Sequence, residues 1–312
     1  MEKTRCCVCH EFFAPDETEW LGGRSFCKRH HELALSATEL HWSRAGLAET
    51  ALLAAFIGVV SLAFGSNPLP TSTATGLLLA LIPAAIFMVF VYRQDRVEPE
   101  PIYVVAGVFV FAALLGHAVA NPFADWLLAR DGWQYEHELT AWIGSIGVRG
   151  TLAALFAYLA VRYSVYLTDE FDEPVDGVIY ATAAMLGLAT ATNLGFIAQH
   201  DGVLPVAGAT AMASTTLAHV AAGVVLGYGL GRVRFDPQRG QRWLALSFAA
   251  AAILHGALHE LVVLAGTSRG TFEPLLGFGV AITLAAAVLA SSHYITVRFA
   301  RRSLEEGDIA FS

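Results

Sequence analysis

The stretch "VAGATAMASTTLAHVAAGVVLGYGLG" (206–231) runs for 26 residues without one Asp, Glu, Lys or Arg. As an α-helix it is about 39 Å long, more than the roughly 30 Å of hydrocarbon in a bilayer. A surface helix of that length in a soluble protein would carry a polar face. Here Gly and Ala take those places, and small residues let helix backbones approach closely in lipid. The segment reads as a membrane span, with His219 as its one ionisable side chain.

Working outward, the same criterion gives seven more spans, at about 46–65, 74–92, 102–121, 141–166, 177–198, 243–265 and 273–295. Short connections separate them, punctuated by Asn67-Pro68, Glu98-Pro99-Glu100-Pro101, Asp172-Glu173-Pro174 and Asp236-Pro237. Composition agrees. Of 312 residues 55% are hydrophobic and 15% charged, and the mean hydropathy is +0.54. That excludes a cytosolic globule, a secreted disulfide scaffold and a disordered tail. The net charge of −8, with no basic stripe, argues against a nucleic-acid partner. The fold class is therefore an all-α polytopic membrane protein of about eight transmembrane helices in a lipid bilayer. Sixteen of the 19 Lys and Arg fall on one side of this arrangement, Arg130 and Arg269 on the other, and Arg149 within a span. The positive-inside rule then puts both termini in the cytoplasm.

All four cysteines lie in the first 42 residues. Cys6-x2-Cys9 followed by Cys27-x2-His30 has the ligand count and spacing of a structural Cys3His zinc site. Cys7 and His31 are alternatives to their neighbours in that set. Phe12, Phe13, Trp20 and Phe26 lie between the two pairs, with Gly22-Gly23 as a hairpin turn. So small a ribbon cannot bury a core of its own, and a metal would supply much of its folding energy. Disulfides or plain thiols are the other readings. No cleavable signal peptide is expected ahead of this module, which favours a reducing compartment and zinc. The organisation is then a zinc-ribbon-like module (1–42), a transmembrane bundle (43–298) and a cytoplasmic tail (299–312).

Ionisable groups in hydrocarbon are costly and mark functional sites. Those here are His117, Arg149, His219, His255, His259 and Glu260, with Asn193 as a neutral companion. Counted along each helix from its outer end, five of the spans place such groups about 7–20 Å deep. His255 and His259, at i and i+4, share a helix face and can bind one metal, with His219 as a third ligand. The plainer reading is that each histidine bonds a neighbouring helix and ties the bundle. Glu260 points about 100° away from that face. Arg149 either lines a cavity or snorkels outward. The acidic run Asp169–Gly177 reads as a solvated turn, with Asp176 capping the next helix.

At that run the sequence becomes recognisable. "EFDEPVDGVIYATAAMLGLATATNLGF" (170–196) resembles the signature of the PrsW family of intramembrane proteases. "YRQDRVEPEP" (92–101), "TTLAHVAAGVVLGYGLG" (215–231) and "LHGALHEL" (254–261) are similar to that family's other landmarks, in the same order. The resemblance implies a glutamate-dependent site inside the membrane, related to CAAX-type proteases. In it a Glu-Glu-x-x-Lys motif, the Glu of a Glu-Asn pair and two helix histidines activate a water. Residue by residue the carboxylates are missing. Arg149-Gly150-Thr151-Leu152-Ala153 stands at the first motif and Thr192-Asn193 at the Glu-Asn pair. His219 and His255 are kept, and the acid expected four residues after the second histidine is His259. Glu260 is then the one intramembrane carboxylate left. Arginine stays protonated near neutral pH and cannot be a general base.

Two functions follow from these residues. One is a pseudoprotease that holds a transmembrane or peptide client without cutting it, with the zinc module recruiting a cytoplasmic partner. The other is a metal-dependent intramembrane hydrolase in which His219, His255 and His259 hold a second zinc, with Asn193 in the catalytic set. A transporter is disfavoured by the lack of inverted repeats or paired broken helices.

Overall fold

The computed structural model describes residues 3–6, 8–21, 24–37, 42–64, 73–92, 100–172, 174–199, 205–235, 240–267, 275–284, 286–287 and 290. Cys7, the Gly22-Gly23 turn and the 299–312 tail of the sequence reading lie outside these residues.

Two small antiparallel pairs build the N-terminal part. β1 (Thr4–Arg5) pairs with β2 (Phe12–Phe13), and β3 (Thr18–Leu21) with β4 (Arg24–Cys27). The chain between β1 and β2 turns back tightly, with Cys6 N–H bonded to Glu11 O at 2.9 Å and His10 N–H to Cys6 O at 3.1 Å. His10 takes φ 59° in that turn. β4 runs directly into α1 (Lys28–Ala37), so Cys27 and His30 stand at a strand-to-helix junction.

The rest is helical. The expected spans at 46–65 and 74–92 fall on α2 (Trp42–Phe64) and α3 (Thr73–Tyr92). Their side chains Phe56, Ile57, Leu79 and Phe87 are buried in one cluster with Met212, Leu217 and Val220. Five further helices are long and apolar enough to cross a membrane: Ile102–Ala129, Glu138–Ser164, Val175–Ala198, Ala207–Phe235 and Gln241–Gly266. The described part of the last expected span includes the apolar helix Leu275–Leu284. The chain is an integral membrane protein.

Two of the long helices contain π-helical turns, and the first runs past its expected end at 121 to Ala129. α4 (Ile102–Leu115) passes through the π-turn Gly116–Ala120 into α5 (Asn121–Ala129). α6 (Glu138–Ile143) passes through Gly144–Gly150 into α7 (Thr151–Ser164). A π-turn inserts one residue into the helical repeat and rotates the side chains beyond it, a device common at functional sites.

α8 (Pro174–Ala198) and α9 (Pro205–Phe235) form the centre. From Ile179 to Ala191 every residue of α8 is buried. These two helices touch backbone to backbone. A Cβ on Gly227 would stand 2.3 Å from Gly177 O, and one on Gly177 2.4 Å from Gly227 O. α10 (Gly240–Thr267) packs on the other side of α9 and holds the π-turn of α6–α7, where a Cβ on Gly256 would come within 2.4 Å of Ser145 O.

The acidic run differs from its sequence reading. Asp176 does not cap α8 from a solvated turn; it is wholly buried in the first turn, and its Oδ2 accepts the Asp172 N–H at 2.8 Å. Phe171 is buried too, stacked between Tyr166, Tyr180 and Phe235. Glu100 is buried against this loop, its carboxylate close to those of Asp172 and Asp176, and the Tyr180 hydroxyl donates to it.

The α8–α9 contact yields a stability test. Gly227→Ala should lower the thermal stability of the purified protein by roughly 1–3 kcal/mol, because the methyl has no room. Gly58→Ala on α2, where a Cβ meets nothing within 4 Å, should be neutral or slightly stabilising through helix propensity. Equal melting temperatures for both variants would contradict the close approach.

Candidate functional site

Two constellations stand out, one in the N-terminal part and one among the helices. In the first, Cys6, Cys9, Cys27 and His30 bring their ligand atoms within 4.8 Å of one another. His30 Nδ1 lies 3.2 Å from Cys27 Sγ and 3.5 Å from Cys6 Sγ, and the three cysteines are free of disulfides. His31 is not in the group. Burial pushes the Cys6 thiol up. N–H groups of Cys9, Cys27 and Val8, together with His30, outweigh that and bring it down to about 6. Cys9 is pushed up, by burial and then by the neighbouring Cys6 and Cys27. A thiolate stabilised by backbone N–H groups and aimed at an imidazole and two more sulfurs is a donor set that can hold one metal ion.

The second constellation is a cavity of about 440 Å³ between α5, the second π-turn, α8, α9 and α10. Arg149, Asn193, His219, His255 and His259 all line it, so five of the polar residues expected at depth meet in one place. The other two do not. His117 lies on an exposed face of its π-turn and does not line the cavity. Glu260 accepts a hydrogen bond from Ser145 Oγ and faces away. Arg149, half-buried, stands within the Gly144–Gly150 π-turn and lines the cavity with the histidines.

Hydrogen bonds fix the imidazoles. His219 Nδ1 lies 2.8 Å from Thr215 O, one turn back on its own helix. A carbonyl only accepts, so Nδ1 carries the proton and Nε2 the lone pair. His255 Nε2 lies 3.3 Å from the same Nδ1 and is a second acceptor for its proton. The two rings meet edge to face, 4.3 Å apart at 80°. His255 Nδ1 must then carry its own proton, and it is buried without a hydrogen-bond partner. His259 lines the cavity one turn along from His255 and is exposed.

Asn193 is a clamp. Its amide donates to Met212 O at 3.3 Å and Thr216 Oγ1 at 3.4 Å, and Thr216 Oγ1 in turn donates to Met212 O at 2.8 Å. This bond set joins α8 to α9 within one turn of His219. Its neighbour Thr192 donates to Asn121 Oδ1 at 3.3 Å and joins α8 to α5.

Sequence reasoning missed three features. Asp125 lines the same cavity, so Glu260 is not the one carboxylate at that depth. The expected span stopped at residue 121, whereas the π-turn carries the helix on to Ala129. The apolar spacing of Phe123, Trp126, Leu127 and Leu128 was the available signal. Gln199, just beyond α8, lines the cavity as well. The third is a group at the opposite end of α8, where Glu100, Asp172 and Asp176 place carboxylate oxygens within 4.8 Å of one another. Burial pushes the Glu100 carboxyl up, and the Asp172 and Glu170 charges add to the rise against the bonds from Tyr180 and Asp176.

The structure is thus a polytopic helical protein with a histidine-lined cavity among its spans. The model of the family described as "PrsW family intramembrane metalloprotease" matches residues 100–290. This chain belongs to that family. Curated relatives named Protease PrsW include that of Geobacillus kaustophilus, 28% identical over 58% of this chain and 76% of that protein. The Bacillus subtilis protein is 25% identical over 57% and 78%, and the Clostridioides difficile protein 24% over 60% and 79%. No solved structure matches this chain. The cysteine group lies outside the segment matched by the family model.

Asn193→Asp replaces a double donor by an acceptor facing two acceptors. It should cost about 1–3 kcal/mol of stability, read as a lower melting temperature than wild type. Retention of wild-type stability would show that the clamp does not hold α8 to α9.

Proposed function

We propose that this member of the PrsW family is a pseudoprotease: it binds a transmembrane or peptide client in the histidine cavity and does not cleave it by a glutamate-dependent route. The observation that supports this most is the engagement of the histidine pair. The lone pair of His255 Nε2 faces the His219 N–H, and the Arg149 guanidinium lines the same cavity. A general base needs hydrogen-bond reach to the proton it takes, and a guanidinium cannot accept one. A cavity of about 440 Å³ is within the usual range of ligand-binding clefts.

In this reading residues 43–298 form the client-binding bundle. Residues 1–42 form a cytoplasmic module in which Cys6, Cys9, Cys27 and His30 hold a structural zinc, and that module recruits a cytoplasmic partner. Both termini and the 299–312 tail face the cytoplasm of a bacterial-type cytoplasmic membrane.

A second reading has its own support. His219 keeps a lone pair on Nε2, His255 Nδ1 is a buried polar atom without a partner, and Asp125 contributes a carboxylate to the same cavity. His219, His255 and His259 are the residues that would hold a metal there, and a bound zinc would supply a water whose pKa is lowered to about 7. His255 would have to turn its Nε2 from His219 to ligate. Asn193 keeps α8 and α9 in register beside the pair in either reading.

Purified full chain in nanodiscs tests the two. A photoreactive residue at Leu152, which lines the cavity, should crosslink to a co-reconstituted transmembrane peptide, and no product of that peptide should form. Cleavage that disappears in both His219→Ala and His255→Ala would replace the first reading by the second. Metal analysis should find one zinc per chain, lost in the Cys6→Ala/Cys27→Ala variant. Stoichiometric zinc in that variant would contradict the N-terminal site.

A further inference from the structure

Where α7 and α9 end, two cations share one aromatic ring. The Arg162 guanidinium carbon lies 5.0 Å from the centre of the Tyr166 ring, and that of Arg234 lies 5.8 Å from the same centre. Tyr166 is itself fixed: it is buried and packs on Phe171 with ring centres 5.0 Å apart, and Phe171 stacks on Phe235 at 6.3 Å. Cation–π contacts hold each guanidinium in place without neutralising it. Among the described residues neither arginine is in an ion pair with a carboxylate. Arg162 Nη1 is buried with no hydrogen-bond partner, whereas Arg234 is exposed. Two like charges are thus brought together around one ring without an anion between them.

The surroundings select the kind of anion. The spans containing these residues run Glu138–Ser164 and Ala207–Phe235, so both arginines stand at span ends, at the depth of lipid headgroups. Tyr163, Leu167 and Phe235 beside them are 78%, 67% and 38% exposed, an apolar rim that a soluble phosphate would leave in water and acyl chains would cover. Planar guanidinium forks match phosphate oxygens, and basic pockets between spanning helices are a recognised mode of headgroup binding. We infer that Arg162 and Arg234, mounted on Tyr166, form a site for the phosphate of an anionic phospholipid at the boundary of the bilayer.

Native mass spectrometry of the full chain, released from micelles doped with either dioleoyl-phosphatidylglycerol or dioleoyl-phosphatidylcholine, tests this. The wild type should retain the glycerol lipid and not the choline lipid, a comparison that needs no variant. Arg162→Gln and Arg234→Gln should each weaken retention about fivefold, and the double variant about thirtyfold, at about one surface-charge increment per arginine. Lys3→Gln, which removes one charge far along the sequence, should leave retention unchanged. Equal retention of the two lipids, or no loss in a double variant that melts like wild type, overturns the site. Displacement of the lipid by excess inorganic phosphate overturns its assignment to a lipid.

Discussion

The close approach of α8 and α9 is the constraint on which the rest of the molecule depends. Gly177 and Gly227 put the two backbones in contact. At that spacing the Asn193 amide reaches across to Met212 O and Thr216 Oγ1. One turn further His219 bonds Thr215 O on its own helix, which fixes its ring beside that crossing. In lipid there is no hydrophobic drive between helices, and contacts of this sort carry the packing. α10 is fixed in turn by Gly256 against the π-turn of α6–α7, which sets where His255 meets His219 and where Arg149 faces.

The cavity that results gathers polar groups from several helices around one open volume. A PrsW-type scaffold is kept, with two histidines in contact, an amide at the helix crossing and open volume beside them. Around that volume it offers an N–H shared between two acceptors, a guanidinium and the Asp125 carboxylate. Those groups suit polar backbone atoms of a bound segment, which in hydrocarbon must find partners within protein. Glu260, the acid closest in sequence to the histidines, is committed to Ser145.

Much of this was legible in the residues. Spans could be read because long runs such as 206–231 carry no fixed charge, and small residues at Gly223 and Gly227 marked the tight faces. The cysteine group followed from Cys6-x2-Cys9 and Cys27-x2-His30, since two short knuckles leave few ways to gather four ligands. Depth arithmetic brought Arg149, Asn193, His219, His255 and His259 to one layer, and they share one cavity. It failed for His117, because depth does not say which way a side chain faces. Asp125 was lost because the expected span ended at 121, whereas the helix continues beyond the Gly116–Ala120 π-turn to Ala129. Asp176 meets Glu100 in the structure, a contact across 76 positions that no local pattern encodes.

The central claim is that the membrane cavity works by binding rather than through a metal-activated water. Anomalous diffraction at the zinc edge, on crystals of the full chain grown with zinc, tests it most directly. The account gives one peak, between Cys6, Cys9, Cys27 and His30. A second peak of comparable height between His219 and His255 would contradict it.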